Sequence, residues 1–515
     1  MPAASGDTGR IRQALSPAAF RALEEHTAPY GRAGELAMIT TVDRAHLVML
    51  TQAGLLDRTS AGRILTAIGT LAADRFQALQ DSAAPRGLYL LYEGWLIEQL
   101  GDAVGGALHT ARSRNDLNAT VLRLRIRQPV ATLVAELLRL VALLLARGRR
   151  WSGVMMPLYT HYQAAVPGSY GHYLAAVAHP LQRSAAALLD CLRDGFGVCP
   201  LGGGAAAGTS LPIRPEVTAR LLGFRAGVQN SLDAVASRDA ALRVLGEAAI
   251  LGVTLSRLAT DLQLWTTAEF GFLRLPDTLV GSSSMMPQKR NPYLLEHVEG
   301  RAAQPLGALV AAATAMHAKP FANNIAAGTE AVAGLWDALA QITSGVRLAR
   351  LMVLGAAPQP AAMRQRAEGA FLETTELCNR LVLAGMPFRA AHHLVGRAIT
   401  ETLARNPAAG SAAVIAAVQA AVPALDARGL DPAATMRASA FGGGPGATVG
   451  RNGLAPQIAT LRAQHARLRA CHRRWREAAV ELDRAVAELC GGVNARPSSA
   501  ASPFACPSET RQVST

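Results

Sequence analysis

Apolar residues recur at three- and four-residue spacing over long stretches of this chain, with little of the alternation that marks a half-buried strand. Residues 121–147 (VLRLRIRQPVATLVAELLRLVALLLAR) read as one long, mostly buried helix. The same spacing predicts helices over 171–195, 232–268, 292–318 and 331–355. Long helices in succession predict an antiparallel bundle at the centre of the molecule. The first hundred residues predict shorter helices, broken at Pro29-Tyr30-Gly31 and at Pro85-Arg86-Gly87. Beyond Pro358 and Pro360 the helices shorten again, separated by Pro407, Pro423 and Pro432. Gly442-Gly443-Gly444-Pro445-Gly446 marks a loop before a final helix near 454–489, and 490–515 has the composition of a disordered tail. The expected class is all-α. The expected units are an N-terminal helical domain over 1–108, a central bundle over 109–357 and a small helical domain over 358–489.

Composition changes this picture little. The chain has 515 residues, 50% of them hydrophobic, enough for about three domains and a large core without disulfide or metal staples. Its six cysteines are widely spaced with no CxxC pair, so a zinc ribbon or thioredoxin motif is not expected and a reduced, cytoplasmic compartment is. The N-terminal stretch lacks a continuous apolar h-region, and the greasiest run, Leu137 to Ala146, is interrupted by Arg139, so neither a signal peptide nor a membrane span is expected. The formal charge of +14 comes almost wholly from arginine: of 51 basic residues only Lys289 and Lys319 are lysines. Such a charge admits polyanionic partners. The densest cluster (Arg467, Arg469, Arg473, Arg474, Arg476) has only Trp475 among it, which reads as a solvated helix face rather than a nucleic-acid surface.

Four segments interrupt the helical pattern with polar residues that a bundle does not need. HTARSRNDLNAT (109–120) offers two arginines, a serine and two amides able to clamp carboxylates; otherwise it is a turn with Asn115 or Asp116 as helix cap. MPLYTHYQAAVPGSYGHY (156–173) reads as loop-like and offers His161, which titrates near neutrality, beside Thr160 and Gln163. PLGGGAAAGTS (200–210) permits close backbone approach but lacks the lysine of a phosphate-cradling loop. GSSSMMPQKRNPYLLEHVEG (281–300) sets three serines, a lysine and an asparagine on a loop that ends where a helix begins, and such a loop can close over a substrate. No GxSxG elbow surrounds these serines, which argues against a serine hydrolase.

In this order, the four segments resemble the fumarase/aspartase superfamily, and within it argininosuccinate lyase. Residues 283–292 (SSMMPQKRNP) are similar to the family loop GSSxMPxKxNP, with the family's glycine falling on Ser282. HTARSRNDL, YTHYQ and NSLDAVASRDA (230–240) resemble three further family motifs. The resemblance implies three mainly helical domains, four bundles packed into a homotetramer with a twenty-helix core, and active sites each assembled from three subunits. It implies anti elimination from a succinyl substrate with release of fumarate and no metal or organic cofactor. Carried onto this chain, Ser283 is the base, assisted by Lys289 and loop amides, and Lys289 and Asn291 hold the carboxylate that gathers charge. His161, paired with Glu296, supplies or relays a proton. Arg112, Ser113, Arg114, Asn115 and Thr160 fix the substrate carboxylates, and Tyr89, Gln163, Arg238, Ser284 and Met286 complete the substrate-binding set. The partner is therefore a small dicarboxylate or amine.

The amine-recognition half departs from argininosuccinate lyase. The run 86–93 (RGLYLLYE) stands where that enzyme carries EDxHxxxE, and Asn323, Gly328 and Ala331 stand where it carries a tyrosine, a glutamine and a lysine. A site that loses its hydrogen-bonding partners binds the polar group they served about 10³-fold more weakly or worse. The expectation is a carbon–nitrogen lyase for a different N-substituted aspartate, similar to ethylenediamine-disuccinate lyase. The alternatives are argininosuccinate lyase proper and a non-catalytic or nucleic-acid-binding relative.

Overall fold

The computed structural model describes residues 31–80, 88–449 and 453–491. The breaks expected at Pro29 and at 85–87, and the tail from residue 492, lie outside the described residues. Helices α1 (Gly31–Gln52), α2 (Arg58–Ala73) and α3 (Leu88–Leu100) close an N-terminal cluster around Leu36, Leu47, Ile64 and Tyr92. Five long helices follow: α4 (Arg114–Arg150), α5 (Tyr170–Asp190), α6 (Asp239–Trp265), α7 (Tyr293–Met316) and α8 (Leu335–Gly355). They share one core, in which Leu133, Leu137, Leu138, Leu140 and Leu144 of α4 are wholly buried. Each such leucine stabilises the fold by about 1.5–3 kcal/mol over an exposed one. By length and composition α4 could cross a membrane; here it packs inside the bundle. At Gly252 of α6 a Cβ would sit 2.1 Å from the Ala302 carbonyl of α7, so these helices approach more closely than any side chain would permit.

A smaller cluster is built from α9 (Thr374–Leu383), α10 (Phe388–Arg405) and α11 (Ser411–Ala421). The last helix, α12 (Ala455–Leu489), packs elsewhere. Its Leu461, Leu468 and Trp475 join the bundle core and its Leu482 joins the N-terminal cluster.

The chain departs from expectation in three places. The loop-like segment at 156–173 is an antiparallel hairpin of β1 (Met155–Thr160) and β2 (Gln163–Ser169), with a register shift at Leu158/Tyr159, followed by the start of α5. A proline in each strand and the bulge erase the alternation that would have announced it. The helix expected over 232–268 breaks at Ser237-Arg238, where Arg238 turns its guanidinium back onto the Val235 and Ser237 carbonyls. The helix expected over 171–195 ends at Asp190 in a π-turn over Cys191–Gly195.

The bundle has two ends. Helix α4 has 37 residues, about 55 Å at 1.5 Å per residue. At its start lie the 200–210 segment, the start of α6 and the chain beyond α7. At its far end lie the hairpin, the end of α6 (Trp265 against Tyr173, ring centroids 4.5 Å apart) and the end of α8 (Leu354 carbonyl to Arg147, 2.9 Å). The start of α7, preceded by the 281–292 loop, lies there too.

Candidate active site

At the first pole Ser113 caps α4. Its Oγ accepts from the Asn115 amide (3.2 Å), while the Asp116 carboxylate accepts from the Ser113 amide (2.9 Å), a reciprocal capping pair. Neither Asn115 nor Asp116 is therefore the cap, although both were candidates. The Ser113 hydroxyl keeps its proton free to donate to a carboxylate. Arg114 follows on the exposed face. The Asn115 side chain is engaged at both atoms, its Nδ2 donating to the Ala205 carbonyl (3.0 Å) and its Oδ1 accepting from Asn323 Nδ2 (2.8 Å). The structure thus joins the 109–120 and 319–328 segments, the second being where the amine-recognition residues were expected.

Arg112 and Tyr89 are turned into the protein. The Arg112 side chain has no exposure; it pairs with Asp43 and donates to the Tyr89 hydroxyl at 2.8 Å, with the guanidinium over the Tyr89 ring. Tyr89 is itself buried and its hydroxyl also meets Glu93 (3.0 Å) and His109 (3.0 Å). Within the chain both residues brace the turn before Ser113, where Ala111 adopts φ +60°. Burial raises the Asp43 carboxyl above its ordinary value, against the opposing pull of Arg112. Burial also lowers His46 to about 3, helped by Arg112, while its Nε2 donates to the Thr110 carbonyl (2.9 Å). Sequence reasoning missed Asp43, although an acid within the apolar run of α1 is itself a signal of a buried pair. Arg238 is also buried, lowered to about 10 by burial and then by Arg123, and a Cβ on Gly328 would lie 3.3 Å from its Nη2.

The second pole is open. Residues 281–282 and 290–291 pair as a two-rung ladder, so the loop between them is a hairpin pinned at its base. Arg290 anchors that base by donating to the Leu275 carbonyl (2.8 Å) and pairing with Asp277. At the tip, Ser283 Oγ accepts from the amides of Met285 (3.2 Å) and Met286 (2.9 Å). Ser284, Met286 and Lys289 are exposed, and Asn291 is half-buried with its Nδ2 toward the Ser282 carbonyl (3.3 Å). Glu296 is exposed in the first turn of α7. His161 and Tyr162 form the tip of the β1–β2 hairpin, both at positive φ (51° and 60°), with Thr160 and Gln163 paired beneath them and all four exposed. His161 and Glu296 make no hydrogen bond or ion pair with each other, nor does Ser283 with any residue of the first pole.

The residues implied as site members therefore divide. Ser113, Arg114, Asn115 and Arg238 stand at one end of a 37-residue helix, about 55 Å from the end that carries Thr160, His161, Gln163, Ser283, Ser284, Met286, Lys289, Asn291 and Glu296. No small dicarboxylate reaches both. Exposed apolar residues run between the ends: Ile250 (57% exposed) and Val253 (58%) on α6, Leu306 (53%) and Val310 (58%) on α7. An apolar outer face of this kind marks a surface suited to packing against another chain.

Among known proteins, a lyase family model matches residues 90–307, and one described as the argininosuccinate lyase C-terminal region matches 371–434. The argininosuccinate lyase of Hahella chejuensis is 37% identical over 356 residues, 69% of this chain and 75% of that protein. That of Methanothrix thermoacetophila is 34% identical over 467 residues, 88% of this chain and 92% of that protein. Among solved structures, EDDS lyase in complex with formate superposes with a TM-score of 0.84 at 26% identity, over 95% of this chain and 98% of that one. The class II fumarase of Schistosoma mansoni shares the fold at a TM-score of 0.62 and 16% identity, over 81% and 97% of the two chains.

Proposed function

We propose that this chain, which belongs to the argininosuccinate-lyase-like branch of the fumarase/aspartase superfamily and is a carbon–nitrogen lyase releasing fumarate, acts on an N-substituted aspartate whose amine is not arginine. The carrying observation is that the reactive pole keeps its chemistry while the amine-facing segment is altered. Ser283 Oγ sits under two converging loop amides. At the other pole Asn323 ties itself to Asn115 instead of offering a longer polar side chain.

In this reading the proton on the carbon beside a carboxylate goes to Ser283 Oγ. The Met285 and Met286 amides lower the cost of its ionised form, and Lys289 and Asn291 hold the carboxylate on which charge accumulates. Ser113, Arg114, Asn115 and Thr160 fix the carboxylates. His161, oriented by Glu296, gives a proton to the departing nitrogen. The two poles are too distant for one chain to do this, which supports a homotetramer in which antiparallel neighbours bring pole to pole and each site draws on three subunits. The apolar stripe on α6 and α7 is the surface we assign to that packing.

Incubation of the purified protein with fumarate and a panel of amines, diamines and amino acids, read as loss of fumarate absorbance, tests the proposal. Turnover with a non-arginine amine is expected; none in either direction overturns it. Argininosuccinate lyase proper is the second reading, favoured by identities of 34–38% to enzymes of that name. Cleavage of argininosuccinate at a kcat/KM above that for every other N-substituted aspartate would establish it instead.

A further inference from the structure

The glycine-rich segment at 200–210 has no part in the chemistry above, yet its amides are not idle. The Gly202 and Gly204 N–H groups both donate to Asp116 Oδ2, each at 3.0 Å. The other oxygen, Oδ1, accepts from the Ser113 amide at 2.9 Å. Asp116 is wholly buried. Gly202 and Gly204 have φ of +103° and +59°, which lets two amides converge on one oxygen, and a Cβ on Gly204 would lie 2.7 Å from the Gly208 carbonyl. The Gly203 amide, between those of Gly202 and Gly204, turns to the Pro200 carbonyl, so alternate amides converge on one anion in a small nest like those that elsewhere cradle phosphate. Here the anion is the chain's own.

We infer that Asp116 is the positioning residue of the carboxylate-binding turn, its side chain seated in the 202–204 nest so that loop and turn move as one body. The inference rests on the lyase reading, because it assigns the turn's purpose to substrate carboxylates. The neighbouring contacts support it. The Ala205 carbonyl takes Asn115 Nδ2 (3.0 Å), and the Ala206 carbonyl takes Ser231 Oγ (2.8 Å). The loop is therefore fastened to the Ser113–Asn115 turn on one side and to the helix before Arg238 on the other. A capping aspartate alone needs only the Ser113 amide; the two glycine amides couple it to a segment 86 to 88 residues away. Charge-assisted bonds of this type are about twice as strong as neutral ones, which suits a part that must not yield when substrate binds.

Asp116→Asn replaces one acceptor oxygen by an NH2 group that the nest cannot hold. It is expected to raise KM for fumarate about 100-fold, as displacement of a positioned group by about 1 Å can. The change in kcat stays within about tenfold, because Ser283 at the other pole is untouched. Hydrogen exchange of the 200–208 and 109–116 peptides should quicken together. In Asp116→Ala the emptied nest should accept added formate and recover about tenfold in kcat/KM, with exchange over 200–208 and 109–116 slowing together. Ser231→Ala, which leaves the core intact, should raise KM about threefold and quicken exchange over 200–208, and it decides the matter if the Asp116 variants do not fold. Unchanged KM and unchanged exchange in Asp116→Asn, or in Ser231→Ala where that is the folded variant, overturns the inference. A wild-type protein inactive with every amine overturns the lyase reading instead, and the exchange comparison still decides whether Asp116 couples loop to turn.

Discussion

The two ends of the bundle solve opposite problems. At the start of α4 three polar side chains of the turn are already matched within the chain: Arg112 by Asp43, Asn115 by Ala205 and Asn323, Asp116 by three amides. At the far end, His161, Lys289 and Glu296 stand exposed, with Tyr162 (90% exposed) and Met285 (87%) beside them. The first end is pre-organised, so a ligand there meets geometry whose ordering has already been met during folding. The second end is left open within the chain, and the proposed assembly would bring another subunit over it. Under the proposed function, binding and reaction would be prepared in different ways, one by internal hydrogen bonds and the other by assembly.

The largest test of that division is Ser283→Ala. It should lower kcat by about 10³-fold or more while light scattering reports an unchanged oligomer; retained activity would move the base elsewhere. Val310→Asp, on the apolar stripe, should split the assembly and lower activity about 100-fold with helicity by circular dichroism preserved, because each chain keeps its own core. A fully active monomer would remove the reason for placing one site across subunits. Mixing two dead proteins sharpens the comparison further. Chains carrying Ser283→Ala refolded with chains carrying Asn115→Ala should regain activity in about a quarter of sites, since random assembly joins two intact ends that often. No recovery would mean that both ends serve one site from a single chain.

Smaller effects probe the first end alone. Arg112→Met leaves Asp43 buried without its partner and should cost about 3–5 kcal/mol in a denaturant melt. His46 titrates near 3 when folded, against 6.5 for the free side chain. Its folded value is depressed, so the stability it contributes is complete above 6.5 and is lost as pH falls from there toward 3. At pH 5 the loss is about 2 kcal/mol, and a His46→Asn variant should flatten that slope in melts between pH 7 and 5.

Much of the bundle was legible in the sequence because long amphipathic helices announce themselves by spacing alone. Five were expected and five are present, α4 extending beyond 121–147 because Ser113 and Asp116 start it earlier. The 281–292 loop was legible as a break in the bundle from its residue types, which no bundle needs. The hairpin was not, since its two strands are short and interrupted by Pro157 and Pro167. Nor was the fate of Arg112: an arginine beside a serine and two amides reads as a carboxylate clamp, and only tertiary structure brings Asp43, 69 residues away, to consume it. The Asp116 nest was half visible. Its glycines promised a close approach, but nothing in their spacing says that the visitor is a side chain of the same chain.

The last helix carries a consequence for how the protein is made. Leu482 completes the N-terminal cluster, Arg44 pairs with Asp483 across 439 residues, and the Leu489 carbonyl lies where a Cβ on Gly62 would reach it at 3.0 Å. Helices α1 and α2 are therefore made hundreds of residues before the helix that completes their packing. Until α12 emerges, α1 and α2 present an apolar flank with no cover, and contacts of such sequence separation form slowly. Synthesis halted before residue 482 should yield a product that chaperones retain, so translation speed and chaperone supply, rather than bundle stability, would govern the yield of active enzyme.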